Sequence, residues 1–198
     1  MKKFFEGKKM TAVILLGLAY VFWIAYGIAT KVNNVTTYST FWVTLVIWTI
    51  LFGCVIVGML VPFLKKLGKV ASFGLFGYVL IEGALSYPPY FGFANGSDKL
   101  YNATAILFGV AGILLILALL SFAAGFAIPL VGWLFVLIGE FLSLGACVFL
   151  FVGGFLAFFE KDYQGKSEWY YGLSDLARAF MLAGGLFAFP WALDTVTL

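Results

Sequence analysis

Between Ala103 and Phe159 the chain carries one charged side chain, Glu140. A helix or strand facing water needs a polar side chain every few residues on its outer face. A stretch this long without them has no soluble solution. Crossing the hydrocarbon core of a bilayer takes about 20 apolar residues in a helix, so the stretch is too long for one crossing and suits two. Gly125 and Pro129 mark the natural break, since proline interrupts the helical hydrogen-bond ladder. The rest of the chain follows suit: 64% of its residues are hydrophobic and 11% are charged, where soluble domains average about 45–50% and about 25%. A soluble globule, a disordered chain and a nucleic-acid binder are excluded on that balance.

Apolar runs and the polar residues between them place six spans, at about 11–30, 41–64, 70–87, 103–123, 130–159 and 175–193, within a single integral membrane domain covering 1–198. The expected fold class is all-α, a polytopic transmembrane helix bundle with both termini on the same side. A four- or five-span version, with the third or sixth segment lying in the interface, is the alternative. The basic start Met-Lys-Lys-Phe-Phe-Glu-Gly-Lys-Lys-Met resembles the n-region of a signal peptide, but the apolar stretch after it is longer than an ordinary h-region, so it reads as the first span. A loose similarity between spans 1–3 and 4–6, with Pro88 and Pro190 in related places, is compatible with inverted halves.

Lysines set the orientation. With the start of the chain inside, Lys2, Lys3, Lys8, Lys9, Lys65, Lys66 and Lys69 face the cytoplasm or its equivalent, and Lys31, Lys99, Lys161 and Lys166 face out. Three Asn-x-Ser/Thr sequons, at Asn34, Asn95 and Asn102, fall on the outer side. Asn34 and Asn102 lie close to span ends, which leaves Asn95 as the candidate glycosylation acceptor. Trp169, Tyr170 and Tyr171 before span 6, and Tyr87, Tyr90, Phe91 and Phe93 after span 3, read as interfacial anchors, with a ligand-gripping loop as the other reading.

Three charged residues fall inside the spans: Glu82, Glu140 and Arg178. A charge at the bilayer centre costs about 2.5–3.5 kcal/mol on insertion scales, so each needs a reason. Glu140 lies near the midplane, roughly 15 Å from the inner end of its span. With no basic residue obviously at that depth, it is expected to be neutral and to donate a hydrogen bond, with Ser143 as a local partner. It serves either as a proton- or cation-binding carboxylate on a transport path or as polar glue between helices. Glu82 and Arg178 share the outer leaflet and are expected to pair. The alternative is that each snorkels separately, with Asp175 neutralising Arg178 from one turn away. Gly132, Gly139, Gly145, Gly153, Gly154, Gly184 and Gly185 read as close-packing positions, with a kinked or broken helix as the other reading.

Histidine is absent from the sequence. Triad catalysis through a His base, His-ligated zinc and His-ligated haem are therefore excluded. A Gly-rich phosphate-cradling motif with Lys-Ser/Thr and intramembrane DxxD clusters are absent too. Cys54 and Cys147 lie mid-span, without paired spacing, and read as small hydrophobes. The expected function is a non-catalytic membrane subunit or scaffold, neither an enzyme nor a carrier of cofactor or metal. Its expected partners are the bilayer and other membrane subunits or copies of itself. The alternative is a small channel or secondary transporter, with Glu140 as the coupling carboxylate and Glu82 and Arg178 as gate charges.

Overall fold

The computed structural model describes residues 2–33, 39–96, 98–128, 130–161 and 168–193. Among the described residues six α-helices follow one another: α1 (Lys2–Val32), α2 (Ser39–Leu60), α3 (Lys65–Ser86), α4 (Lys99–Ala127), α5 (Gly132–Leu156) and α6 (Tyr170–Leu193). All six are long and apolar enough to cross a membrane, and no strand occurs among the described residues. The protein is thus an all-α, multi-pass integral membrane protein.

Helix ends depart from the hydropathy boundaries where local chemistry overrides apolarity. The second span was expected to run to Leu64 with Pro62 in its last turn, but α2 stops at Leu60. Pro62 has no N–H to donate and disfavours helical backbone at the residue before it. Val61 is accordingly extended, at φ −109° and ψ 107°, and Pro62–Leu64 form a 3₁₀ turn leading into α3. The fifth span was expected to reach Phe159, but α5 ends at Leu156 and residues 157–159 are turns. The sixth was expected to begin at Asp175, but α6 begins at Tyr170. Apolarity says where hydrocarbon begins, not where the helix begins. Asp98 caps α4 by accepting the Leu100 N–H at 2.8 Å.

The chain divides into two compact units, residues 1–78 with 180–198, and residues 79–179, so α3 and α6 each contribute to both. The first unit holds an aromatic core. Trp23 stacks on Phe41 at 5.5 Å and lies 5.0 Å from Trp48, which is fully buried. Gly27 lets the Phe41 ring lie against α1, and Gly58 meets the backbone of Gly68 where α2 turns into α3. Gly184 and Gly185 receive Leu16 and Phe76.

In the second unit, α4 and α5 form an antiparallel hairpin closed by small residues. Gly125 and Gly132 touch backbone to backbone at its turn; Gly139 receives the Phe122 ring and Gly153 the Phe108 ring. Small residues permit this approach where burial in lipid offers no hydrophobic gain. The far face of α5, with Trp133, Phe141, Val148 and Phe155, is exposed. Beyond α3, a 3₁₀ segment Pro88–Phe93 folds back along α4, with Pro88 seated on Gly112 and Phe91 on Gly109. That corner carries Tyr87 into the unit's interior, where it is 2% exposed.

Candidate functional site

The second unit brings together charged residues from two helices. The end of α3 buries Val79, Leu80, Gly83, Ala84 and Tyr87, and Glu82 lies on the flank of that face. On α6, Ser174, Asp175, Ala177 and Ala179 are buried, and Arg178 flanks them. Arg178 Nε and Nη2 donate to Glu82 Oε1 at 2.9 and 2.8 Å. Its Nη1 lies 4.0 Å from Asp175 Oδ1, and Tyr87 donates its hydroxyl to that same oxygen at 2.9 Å. The side chains of Arg178, Glu82 and Asp175 are 19%, 16% and 6% exposed, so water screens them little. The two arrangements foreseen for Arg178, a pair with Glu82 and a local contact with Asp175, therefore coexist.

An ion pair this shielded is stable only when its remaining lone pairs and protons also find partners. Tyr87 supplies one such partner. Glu82 Oε2 is buried and has no hydrogen-bond partner. Two carboxylates share one guanidinium here, and the Tyr87 hydroxyl offsets part of the excess negative charge by donating to Asp175. The cluster can clamp the end of α3 to the start of α6 with directional bonds that lipid cannot replace.

Tyr87 is the member that sequence reasoning missed, and the burial of Asp175 went unforeseen with it. Tyr87 was expected at the headgroup level, as an interfacial anchor. It is instead an internal hydrogen-bond donor, because the Pro88-Pro89 corner turns the chain over it. Asp175 was placed at a span edge because it is the first charge met on that side. With α6 starting at Tyr170, it lies more than a turn inside the helix. The Asp175–Arg178 spacing of three, which puts both side chains on one helical face, was legible in the sequence.

Glu140 is half-buried on α5, on the border between the face packed on α4 and the exposed stripe. Glu140 takes part in an interaction of its own. Ser143 gives its proton to Gly139 O at 2.8 Å, bonding back along its own helix. Cys147 is buried and lies 3.4 Å from Ala179 O, while Cys54 is half-buried. Among the described residues no group of His, Cys, Asp or Glu is arranged to hold a metal.

Asn95 is exposed in the turn after the 3₁₀ segment. The Asn102 side chain instead makes two hydrogen bonds with the Gly96 backbone, both 2.8 Å, and braces that turn. Asn34, Pro129 and Lys166, and the side chains of Lys2, Lys3 and Lys8, lie outside the described residues. No family model, curated protein or solved structure matches the chain.

Proposed function

We propose that this protein is a non-catalytic subunit or scaffold that packs within a larger membrane complex. The observation that carries the reading is the way its intramembrane charges engage one another. Glu82, Asp175, Arg178 and Tyr87 spend their strongest bonds inside one unit, as a fixed clamp does. A coupling carboxylate on a transport path has to change partners as its ion comes and goes. Two further features fit. The sequence has no histidine for proton chemistry at neutral pH. Large apolar side chains on α2 and α5, among them Trp42 and Trp133, face outward, where either lipid or another membrane helix can pack on them.

The test is purification from native membranes in mild detergent with cross-linking. A stoichiometric partner, or a second copy, that persists through size exclusion supports the reading. A monomer that conducts ions or protons in liposomes overturns it in favour of a small channel or transporter, and Glu140→Gln then asks whether that carboxyl couples the flux.

A further inference from the structure

Acidic residues are absent from the chain between Glu6 and Glu82, a stretch that carries Lys8, Lys9, Lys31, Lys65, Lys66 and Lys69. The last three crowd the corner where α2 passes into α3. Lys65 and Lys66 open α3 with exposed side chains, and neither side chain makes an ion pair or hydrogen bond among the described residues. Lys69, one turn on, is 7% exposed and already engaged. Like charges at i and i+4 repel on a helix, so Lys65 and Lys69 sustain a positive potential that no carboxylate between Glu6 and Glu82 offsets. The Glu6 side chain and Asp194 lie outside the described residues. α1 runs antiparallel to α2, with Tyr20 bonded to Thr49 at 3.0 Å and Gly27 against Phe41, so Lys9 adds its charge at the same end.

The corner is tightly built and half apolar. Gly58 meets the Gly68 backbone and closes α2 on α3. Val61 N–H donates to Val57 O at 2.8 Å and Leu64 N–H to Val61 O at 3.0 Å. On this frame Leu60 and Phe63 are 75% and 84% exposed. At the end of a membrane span such side chains meet acyl chains, and a lysine beside them reaches the headgroups with its ammonium. Lys99 and Lys161, also exposed, differ: each directly follows a carboxylate, Asp98 and Glu160.

We propose that the α2–α3 corner docks an anionic phospholipid, with Lys65 and Lys66 on its headgroup phosphate and Phe63 against its acyl chains. Each ammonium brings three donors and no acceptor, which suits phosphate oxygens. A zwitterionic headgroup carries its own cation next to the phosphate, and the uncompensated lysines repel it. A headgroup with net negative charge meets no such opposition and also relieves the repulsion between Lys65 and Lys69. The site serves the protein equally as a subunit or as a transporter, so it does not depend on that choice.

Native mass spectrometry of the full chain in a neutral detergent tests the idea, because it resolves the first lipid bound. Phosphatidylglycerol should bind the wild type about 25-fold more tightly than phosphatidylcholine of the same chains, about fivefold for each lysine. Lys65→Gln/Lys66→Gln should abolish that preference and leave phosphatidylcholine binding unchanged. Lys65→Arg/Lys66→Arg and Lys99→Gln/Lys161→Gln should both keep it. Equal binding of the two lipids by the wild type, a preference that survives in K65Q/K66Q, or one lost in K99Q/K161Q would overturn the proposal. Displacement of phosphatidylglycerol by equimolar glycerol 3-phosphate would overturn it too, in favour of a site for a free phosphate. The single variants K65Q and K66Q, each expected to lose about fivefold, decide the matter if the double variant fails to fold.

Discussion

Arg178 places two of its donors, Nε and Nη2, on a single oxygen of Glu82, leaving the other oxygen of that carboxylate buried and without a hydrogen-bond partner. A bidentate fork would have used both oxygens. The guanidinium is drawn off the symmetric position because its third nitrogen, Nη1, points toward Asp175. Arg178 thus divides its charge between a helix partner across the unit and a neighbour on its own helix.

Removing one member of the Glu82–Arg178 pair should therefore cost more than removing both. Arg178→Leu leaves two carboxylates facing each other in a poorly hydrated site and should lower stability by about 3–5 kcal/mol, the usual cost of breaking a buried pair. The double variant Glu82→Leu/Arg178→Leu should recover at least about 1 kcal/mol of that loss. Equilibrium unfolding in mixed micelles measures the cycle, and a coupling energy of zero would show that the two side chains do not stabilise one another.

Tyr87→Phe deletes a single hydroxyl while keeping the ring that packs against Phe108 at 5.4 Å. Asp175 then loses the donor at 2.9 Å. A hydrogen bond to a charged group contributes about 1.5–3 kcal/mol, and a loss of that size is expected. Asp175→Asn should cost less in the Tyr87→Phe variant than in the wild type, because only the Arg178 contact then remains to be lost. A cost for Tyr87→Phe indistinguishable from that of a surface substitution would mean that Tyr87 is only an aromatic spacer.

Glycine positions separate into tight and open classes. A methyl group on Gly132 would run into the backbone carbonyl of Gly125, which cannot rotate aside as a side chain can. Gly132→Ala should cost about 1–3 kcal/mol, in the range of overpacked cores. Gly53→Ala in α2 meets nothing within 4 Å and should be neutral or stabilising by up to about 1 kcal/mol, as alanine is the better helix former. Thermal unfolding in the same detergent compares the two, and equal effects would contradict the hairpin packing.

The sign of the pH dependence follows from Glu160. Its carboxyl is raised from an ordinary 4.5 to about 7 in the folded protein, so folding favours the neutral form. Its contribution to stability is fully present below about pH 4.5 and declines as pH rises through about 7, after which it is constant. Midpoints of unfolding measured across that window should fall toward alkaline pH in the wild type and flatten in Glu160→Gln. A wild-type midpoint rising over the same window would reverse the assignment.

Membrane residence and the six helices were legible in the sequence because hydrocarbon imposes one simple rule along the chain: about 20 apolar residues per crossing, with backbone bonds closed inside each helix. The small-residue stripe of α5 was legible for a similar reason, since helix contact in lipid depends on steric access. Depth also brought Glu82 and Arg178 into consideration together, because residues at similar depth on different helices have few other partners for a charge. Sequence position does not record which helix faces which, or where a helix begins beyond its apolar core. Asp175 became an interior acceptor only because α6 starts at Tyr170. Tyr87 became its donor only because two prolines fold the chain over that ring. Glu140, singled out by depth alone, stands at the border of a packed face and has an interaction of its own. Glu160, just past the end of its apolar run, is half-removed from water with one carboxyl oxygen buried. Hydropathy is a one-dimensional property and sets how often the chain crosses. Hydrogen bonds and charge pairs act over a few ångströms between distant residues, so which polar groups meet was decided only by tertiary packing.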